Sequence, residues 1–342
     1  MSKDIKDQFI ETIPVERQAF FWVGLYYYLA RAAFRLPGGE AVIREATRSY
    51  GRERAHRRRH IILSKELKPN LVSLFQNGDL NGDERFISDP KQSSLTEELR
   101  RHIVLRCPDA EMWKELGDEE SHIGRTYCEE VHHTLYGCFD DAVQVNLCET
   151  MTHGDPVCRF YIYCRKSNQH PQNDTPYIPQ SWEDTGTDGI KCNFTMFSLF
   201  YCHLASHISR KLGMAPLRQG ILDFAAQRGR RLRELDRRNG RSTGVLSLLD
   251  YGDLFLDPRF TISREVIPNG VRVHIRRCVF AEVQNCHGTS DLGAFYCSLL
   301  YRELVRCYDP RISVKAAACL CSRKDHECLL EFTEGTDAHE KN

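Results

Sequence analysis

The chain reads as one text written twice, and this constrains its fold more than any other feature. "FFWVGLYYYLARAAF" near the N-terminus is echoed by "FTMFSLFYCHLASHI" (194–208), and "SYGRERAHRRRH" by "QRGRRLRELDRR". "LFQNGDLNGDERF" is echoed by "LLDYGDLFLDPRF", and "LRCPDAEMWKELG" by "RRCVFAEVQNCHG". The aligned pairs Gly51 and Gly229, Phe86 and Phe260, Cys107 and Cys278, Cys128 and Cys297, and Asp155 and Asp325 lie 169 to 178 residues apart. Blocks kept in one order at nearly one offset do not arise from composition, and a repeat of this length implies a domain used twice. The segment "CRKSNQHPQNDTPYIPQSWEDTGTDG" between the copies is rich in Pro, Asn, Asp and Gly and lacks apolar periodicity, as a linker does. The expected organisation is a first domain over 1–166, a linker over 167–190 and a second domain over 191–342. Two copies of a self-associating unit on one chain would pack as a pseudo-twofold dimer, and a homo-oligomer of whole chains stays open.

Periodicity gives each copy helices first and strands later. Residues 19–34 and 38–62 carry helical patterns, the first apolar and the second with a charged outer face. "RHIVLRC" (101–107) alternates as a strand does, followed by short helices over 109–116 and 124–138. "AVQVNLCETM" (142–151) and "PVCRFYIYC" (156–164) alternate around the turn-prone "THGD", which predicts a β-hairpin. Each copy is therefore expected to be α+β, helices packed on a small antiparallel sheet.

The 342 residues hold 47 basic and 47 acidic side chains, so no net field draws the protein to nucleic acid or an anionic membrane. "RERAHRRRH" (52–60) lacks aromatic platforms and is interrupted by Glu53, so no nucleic-acid partner is expected. "GDLNGDERF" (78–86) has calcium-loop composition without the terminal Glu at the required distance, and reads as a turn. There is no glycine-rich phosphate loop, Gly-x-Ser-x-Gly elbow or His-Glu-x-x-His pair. The N-terminus is charged where a signal peptide would be apolar, and "AFFWVGLYYYLARAAF" is too short to span a bilayer, so a cytoplasmic protein without membrane contact is expected.

Fifteen cysteines in such a chain point to free or metal-bound thiols in a reducing compartment. Simple packing accounts for most of them, because free cysteine is a small buried hydrophobe. Three recur in both copies: Cys107, Cys128 and Cys158, then Cys278, Cys297 and Cys328. Cys148 and Cys158 have equal parity across the hairpin turn, so both are expected to face the helix that carries Cys128 and His132 on one side. That set supports two chemistries beyond packing. A thiol of Cys128 or Cys158, activated by His132 or beside Asp155, is a nucleophile. Alternatively thiolates hold zinc, and the second copy, with Cys319 and Cys321 added to Cys278, Cys297 and Cys328, has more than a tetrahedral site needs.

The pattern "RCPDAEMWKELG … GRTYCEEVHH … GDPVCRF" resembles the L-2-amino-thiazoline-4-carboxylic acid hydrolase family. Cys107, Cys128, Gly154, Asp155, Cys158 and Phe160 match that family's motif, while His132 stands where the family carries Asp. The second copy departs further, with Tyr301 at the acidic position, Lys324 for the Gly and Leu330 for the Phe. The resemblance implies hydrolytic opening of a small cyclic amidine or thiazoline to a carbamoyl product, by chemistry at Cys128, His132, Asp155 and Cys158. Cys107 would then contact substrate, and Arg52 and Arg59, equivalent to Arg230 and Arg237, are candidates to hold its carboxylate, although a solvated helix face is the commoner fate of such arginines. The ending of each copy also resembles vinyl-reductase-type small-molecule-binding domains. That likeness implies a non-catalytic sensor with a cysteine-rich zinc site. A biosynthetic enzyme of the hydrolase family with a diverged reaction is a further alternative, and a degenerate second copy that only scaffolds the first fits any of these.

Overall fold

A computed structural model describes residues 15–77, 86–118, 122–165, 189–322 and 325–335, with backbone alone for 15–20 and 189–193. Most of the expected linker, the N-terminal segment and most of the turn over 78–86 lie outside the described residues. The first half opens with α1 (Val15–Phe34), α2 (Gly39–Ser64) and α3 (Leu71–Gln76). Strands β1 (Ile87–Ser88), β2 (Ser94–Leu95) and β3 (Leu99–Arg106) follow, then α4 (Pro108–Glu115), α5 (Ile123–Gly137), β4 (Val143–Glu149) and β5 (Cys158–Cys164). The second half runs α6 (Gly189–Leu212), α7 (Met214–Arg238), α8 (Val245–Tyr251), β6 (Thr261–Ile267), β7 (Gly270–Arg277), α9 (Val279–Cys286), α10 (Ser290–Tyr308), β8 (Ile312–Ala318) and β9 (Cys328–Glu334). No described helix is long and apolar enough to cross a membrane.

The architecture is α+β with one antiparallel sheet in each half. The strand orders are β1-β3-β5-β4, with β2 also on β3, and β6-β7-β9-β8. The same residues meet in the same register: Val104 pairs with Cys158 where Ile275 pairs with Cys328. Each outer strand is broken by an irregularity at one place, between Leu147 and Glu149 in β4 and between Ala316 and Ala318 in β8. Each then enters a 3-10 turn, Met151–His153 or Leu320–Ser322. Side chains fix both turns alike. Asp155 Oδ2 accepts the Thr150 N–H at 2.8 Å and Asp325 Oδ2 the Cys319 N–H at 2.9 Å. Likewise Cys158 Sγ accepts the Met151 N–H at 3.3 Å and Cys328 Sγ the Leu320 N–H at 3.1 Å.

The bulge corrects one expectation. A single inserted residue reverses the alternation of a strand, so Cys148 is exposed and its Sγ reaches Asn146 Oδ1 at 3.4 Å, while Cys158 is buried. Equal parity across the turn did not place both thiols on one face.

One buried cluster runs across both halves, and a second, separate one lies under the first sheet. Helix α1 is apolar around its whole circumference from Phe21 to Ala30, and such a stretch is stable only when surrounded; Leu25, Tyr26, Leu29 and Ala30 are fully buried. Tyr26 and Tyr50 both stack on Phe200 from the second half, with ring centroids 5.1 and 4.5 Å apart. Fully burying aromatic side chains of this size contributes about 1.5–3 kcal/mol each. Contacts are reciprocal: α1 packs on α7 and α6 packs on α2, while α2 packs on α5 and α7 on α10. Two glycines allow the latter crossings. A Cβ at Gly51 would lie 1.9 Å from Thr134 Oγ1, and one at Gly229 would lie 2.3 Å from the Leu304 carbonyl oxygen. The halves are also tied by Glu53 of α2, which meets His203 Nε2 of α6 at 2.6 Å and His287 Nε2, just past α9, at 2.9 Å.

Candidate functional site

Between the first sheet and its helices lies a cavity of about 160 Å³. Strand β5 buries every second residue, so Cys158, Phe160 and Ile162 point inward. Helix α5 answers with Tyr127, Cys128, Val131, His132, Leu135 and Tyr136, a run at helical spacing that keeps one face to the cavity. Cys107 lies between β3 and α4, in extended backbone just before Pro108, which suits the first helical position. Asp109 follows in the first turn of α4, and Arg54 and Trp22 close the wall from α2 and α1. A cavity near 150 Å³ is large enough for one benzene-sized ring.

The electrostatics of this cavity follow from the burial of its walls. Burial pushes the thiols of Cys107 and Cys128 well above their ordinary range, and Cys158 upward too, so at neutral pH all three carry their protons. The Thr152 hydroxyl, hydrogen-bonded to Cys128, and the Met151 N–H on Cys158 oppose that shift without reversing it. Burial, with the Arg54 charge beside it, lowers His132 to about 3. The imidazole is neutral, its ring edge-on to Phe160 at 5.0 Å, and its Nδ1 is buried without a hydrogen-bond partner. His102 is likewise lowered to about 4 and has its Nε2 2.7 Å from Ser88 Oγ.

Among the residues singled out from the sequence, Cys107, Cys128, His132 and Cys158 line this one cavity. Asp155 does not; its carboxylate is spent on the Thr150 N–H of the turn. Arg52 and Arg59 are placed elsewhere. Arg52 is half-exposed against Glu45 at 2.8 Å, and Arg59 pairs with Asp140 at 3.0 Å. The arginine of the cavity is Arg54, 1 % exposed, its guanidinium 5.3 Å from the Tyr50 ring centroid. A helical argument would have found it: Gly51 marks the face of α2 pressed on α5, and Arg54 lies three residues on, along that face. Asp109 and Thr150, which also line the cavity, carried no signal that set them apart.

In the second half the corresponding space is smaller, about 50 Å³, lined in part by Cys278, Cys297 and Tyr301. Arg228 lines it too, bound to Asp253 at 2.8 Å. The sulfurs of Cys297, Cys319 and Cys321 lie within 4.8 Å of one another.

Residues 14–162 match the family model described as L-2-amino-thiazoline-4-carboxylic acid hydrolase. This segment, less than half of the chain, is similar to that family. The matched stretch ends at Ile162, itself a wall residue, so every residue lining the larger cavity falls inside the thiazoline-carboxylate hydrolase segment. No curated protein and no solved structure matches the chain. As the family's name is that of a hydrolase of a thiazoline carboxylic acid, a small-molecule substrate is the class it suggests.

Proposed function

We propose that the first half hydrolyses a small cyclic amidine or thiazoline bearing a carboxylate, and that the cavity holding Cys128, His132 and Cys158 is where it does so. The observation that carries this reading is the convergence of thiols, an unpartnered neutral imidazole and a buried arginine on one ring-sized space within the family segment. Arg54 supplies the positive charge that a ring carboxylate needs. Burial is the main reason His132 is neutral, and the same carboxylate offsets the smaller contribution of the Arg54 charge, so binding raises the basicity of the imidazole when a base is required.

In the reaction, the Cys128 thiol adds to the ring carbon flanked by nitrogen and sulfur, and His132 takes its proton and passes it to the ring nitrogen. Expulsion of the ring sulfur leaves that carbon joined to Cys128. One water then adds to it, its oxygen becoming the carbonyl oxygen of the carbamoyl product, while its two protons restore the Cys128 thiol and complete the product thiol. No redox equivalent is consumed. Cys107 and Cys158 border the ring, and Asp155 acts at a distance by shaping the turn that brings Thr150 and Thr152 to the site.

The second half descends, in this reading, from a duplication of the first and packs on it as a pseudo-twofold partner, with the boundary in 167–190; the shared strand order, register and turn chemistry support it. One observation favours a non-catalytic binder instead: the thiols are held protonated in a largely apolar enclosure. The two are separated by following thiol release from 2-amino-thiazoline-4-carboxylate. A hydrolase gives steady release, and Cys128→Ser and His132→Ala each lower kcat by about 100-fold or more. Binding without thiol release identifies the binder. Turnover unchanged in both variants removes Cys128 and His132 from the chemistry.

A further inference from the structure

The second half carries a different site. We propose that Cys297, Cys319, Cys321 and Cys328 bind one zinc ion as a closed, four-thiolate structural centre. Among the described residues, the group of His, Cys, Asp and Glu side chains close enough to share an ion is Cys297, Cys319 and Cys321, with ligand atoms within 4.8 Å of one another. Thiolates about 2.3 Å from a tetrahedral ion stand about 3.8 Å apart, so a small contraction brings these three to the bound geometry, and Cys328, outside that mutual group, closes on them as the ion binds. Cys319 is also in side-chain contact with Cys328. The Leu320 N–H, 3.1 Å from Cys328 Sγ, is the kind of donor that holds a ligating thiolate in place.

A comparison of the halves explains why only one of them has this set. Cys297 and Cys328 stand where the first half has Cys128 and Cys158. Cys319 and Cys321 stand where it has Thr150 and Thr152: Thr150 and Cys319 both give their N–H to the Asp of the turn, and Thr152 and Cys321 both fall in the 3-10 turn that follows. The two hydroxyl residues of the first turn are thus two thiol residues in the second. The first half therefore keeps an apolar room with two of these four thiols, and the second gathers all four. Soft sulfur ligands without oxygen or imidazole select zinc over calcium or magnesium. Each thiol gives its proton to solvent as it binds the ion, so affinity falls on acidification.

The test uses the full chain purified under reducing conditions, stripped of metal and refilled with zinc. Elemental analysis should find about one zinc per chain, and the cobalt(II) derivative should show the intense thiolate-to-metal charge-transfer bands of a tetrahedral sulfur site. Cys319→Ser with Cys321→Ser should weaken zinc binding by more than the about 10–100-fold typical of losing a supporting neighbour. Cys128→Ser with Cys158→Ser should leave zinc content unchanged. Should the double serine variant fail to fold, alkylation of the wild-type chain decides: zinc must protect Cys297, Cys319, Cys321 and Cys328, mapped by mass spectrometry. Less than about one-tenth of a zinc per chain after refilling, or protection that falls on other cysteines, overturns the assignment.

Discussion

His132 is the residue on which the proposed chemistry and stability meet. Its folded value is about 3, below an ordinary histidine at about 6.5. Between those limits the unfolded chain binds a proton that the folded one refuses, so stability falls as pH drops through the window, by about 2 kcal/mol at about pH 5 from this side chain alone. Urea midpoints at about pH 7 and 5 should differ clearly in the wild type and less in His132→Gln, with the remainder coming in part from His102, which is depressed to about 4. Equal pH dependence in the two proteins would mean that the imidazole is solvated. His132 was legible as a functional candidate because it lies four residues from Cys128 on a helix. Its neutral state was not, since that depends on rings and a guanidinium brought from other elements. The same limit explains the arginines. In "GRERAHRRRH" nothing local separates Arg54, which is buried, from Arg52, which is not; only the partner helix does.

At the scale of elements, periodicity located the long helices, β3 and the β4–β5 pair to within a few residues, because each buries one face or all faces over enough turns to leave a pattern. It missed the short α3, the two-residue strands β1 and β2, and β6. Strand β6 is joined to β7 through Pro268 and Asn269, with Asn269 at φ 58°, residues suited to a tight turn. The bulge at Leu147–Glu149 could not be read from alternation, since the inserted residue is visible only against its partner strand. Helix crossings at glycine give a sharper expectation. Gly229→Ala puts a methyl against a backbone carbonyl, which cannot swing away, whereas Gly51→Ala meets the side chain of Thr134. Both should lower the free energy of unfolding, read from denaturant titration, by about 1–3 kcal/mol, with Gly229→Ala the costlier. The reverse order would show that α7 and α10 separate more readily than α2 and α5.

Across the whole molecule, the halves are held by the reciprocal packing of four helices and by Glu53 between two histidines. Hydrogen bonds from both imidazoles hold the Glu53 carboxyl below the usual carboxylate range despite its burial, and the carboxylate in turn raises His287. The signs set a window. The Glu53 contribution is present above the unfolded carboxylate value of about 4.3 and is lost as pH falls; the His287 contribution is present below about 6.5 and is lost as pH rises through its folded value. Glu53→Gln should therefore cost most near about pH 6, by about 1–3 kcal/mol, measured as a lowered unfolding midpoint. No loss there would mean that helix packing alone joins the halves. The expectation of two similar units carried no hint that a single carboxylate of the first half would be shared by two histidines of the second.

Helix α1 places Phe21 in the wall of the smaller cavity and Trp22 in the wall of the larger. Neighbouring residues on one turn thus serve two rooms that open in different halves. Whatever fills one room and shifts that turn must reshape the other, and thermodynamic linkage requires the influence to run equally in both directions. One turn of helix is thus the shortest path between the two rooms.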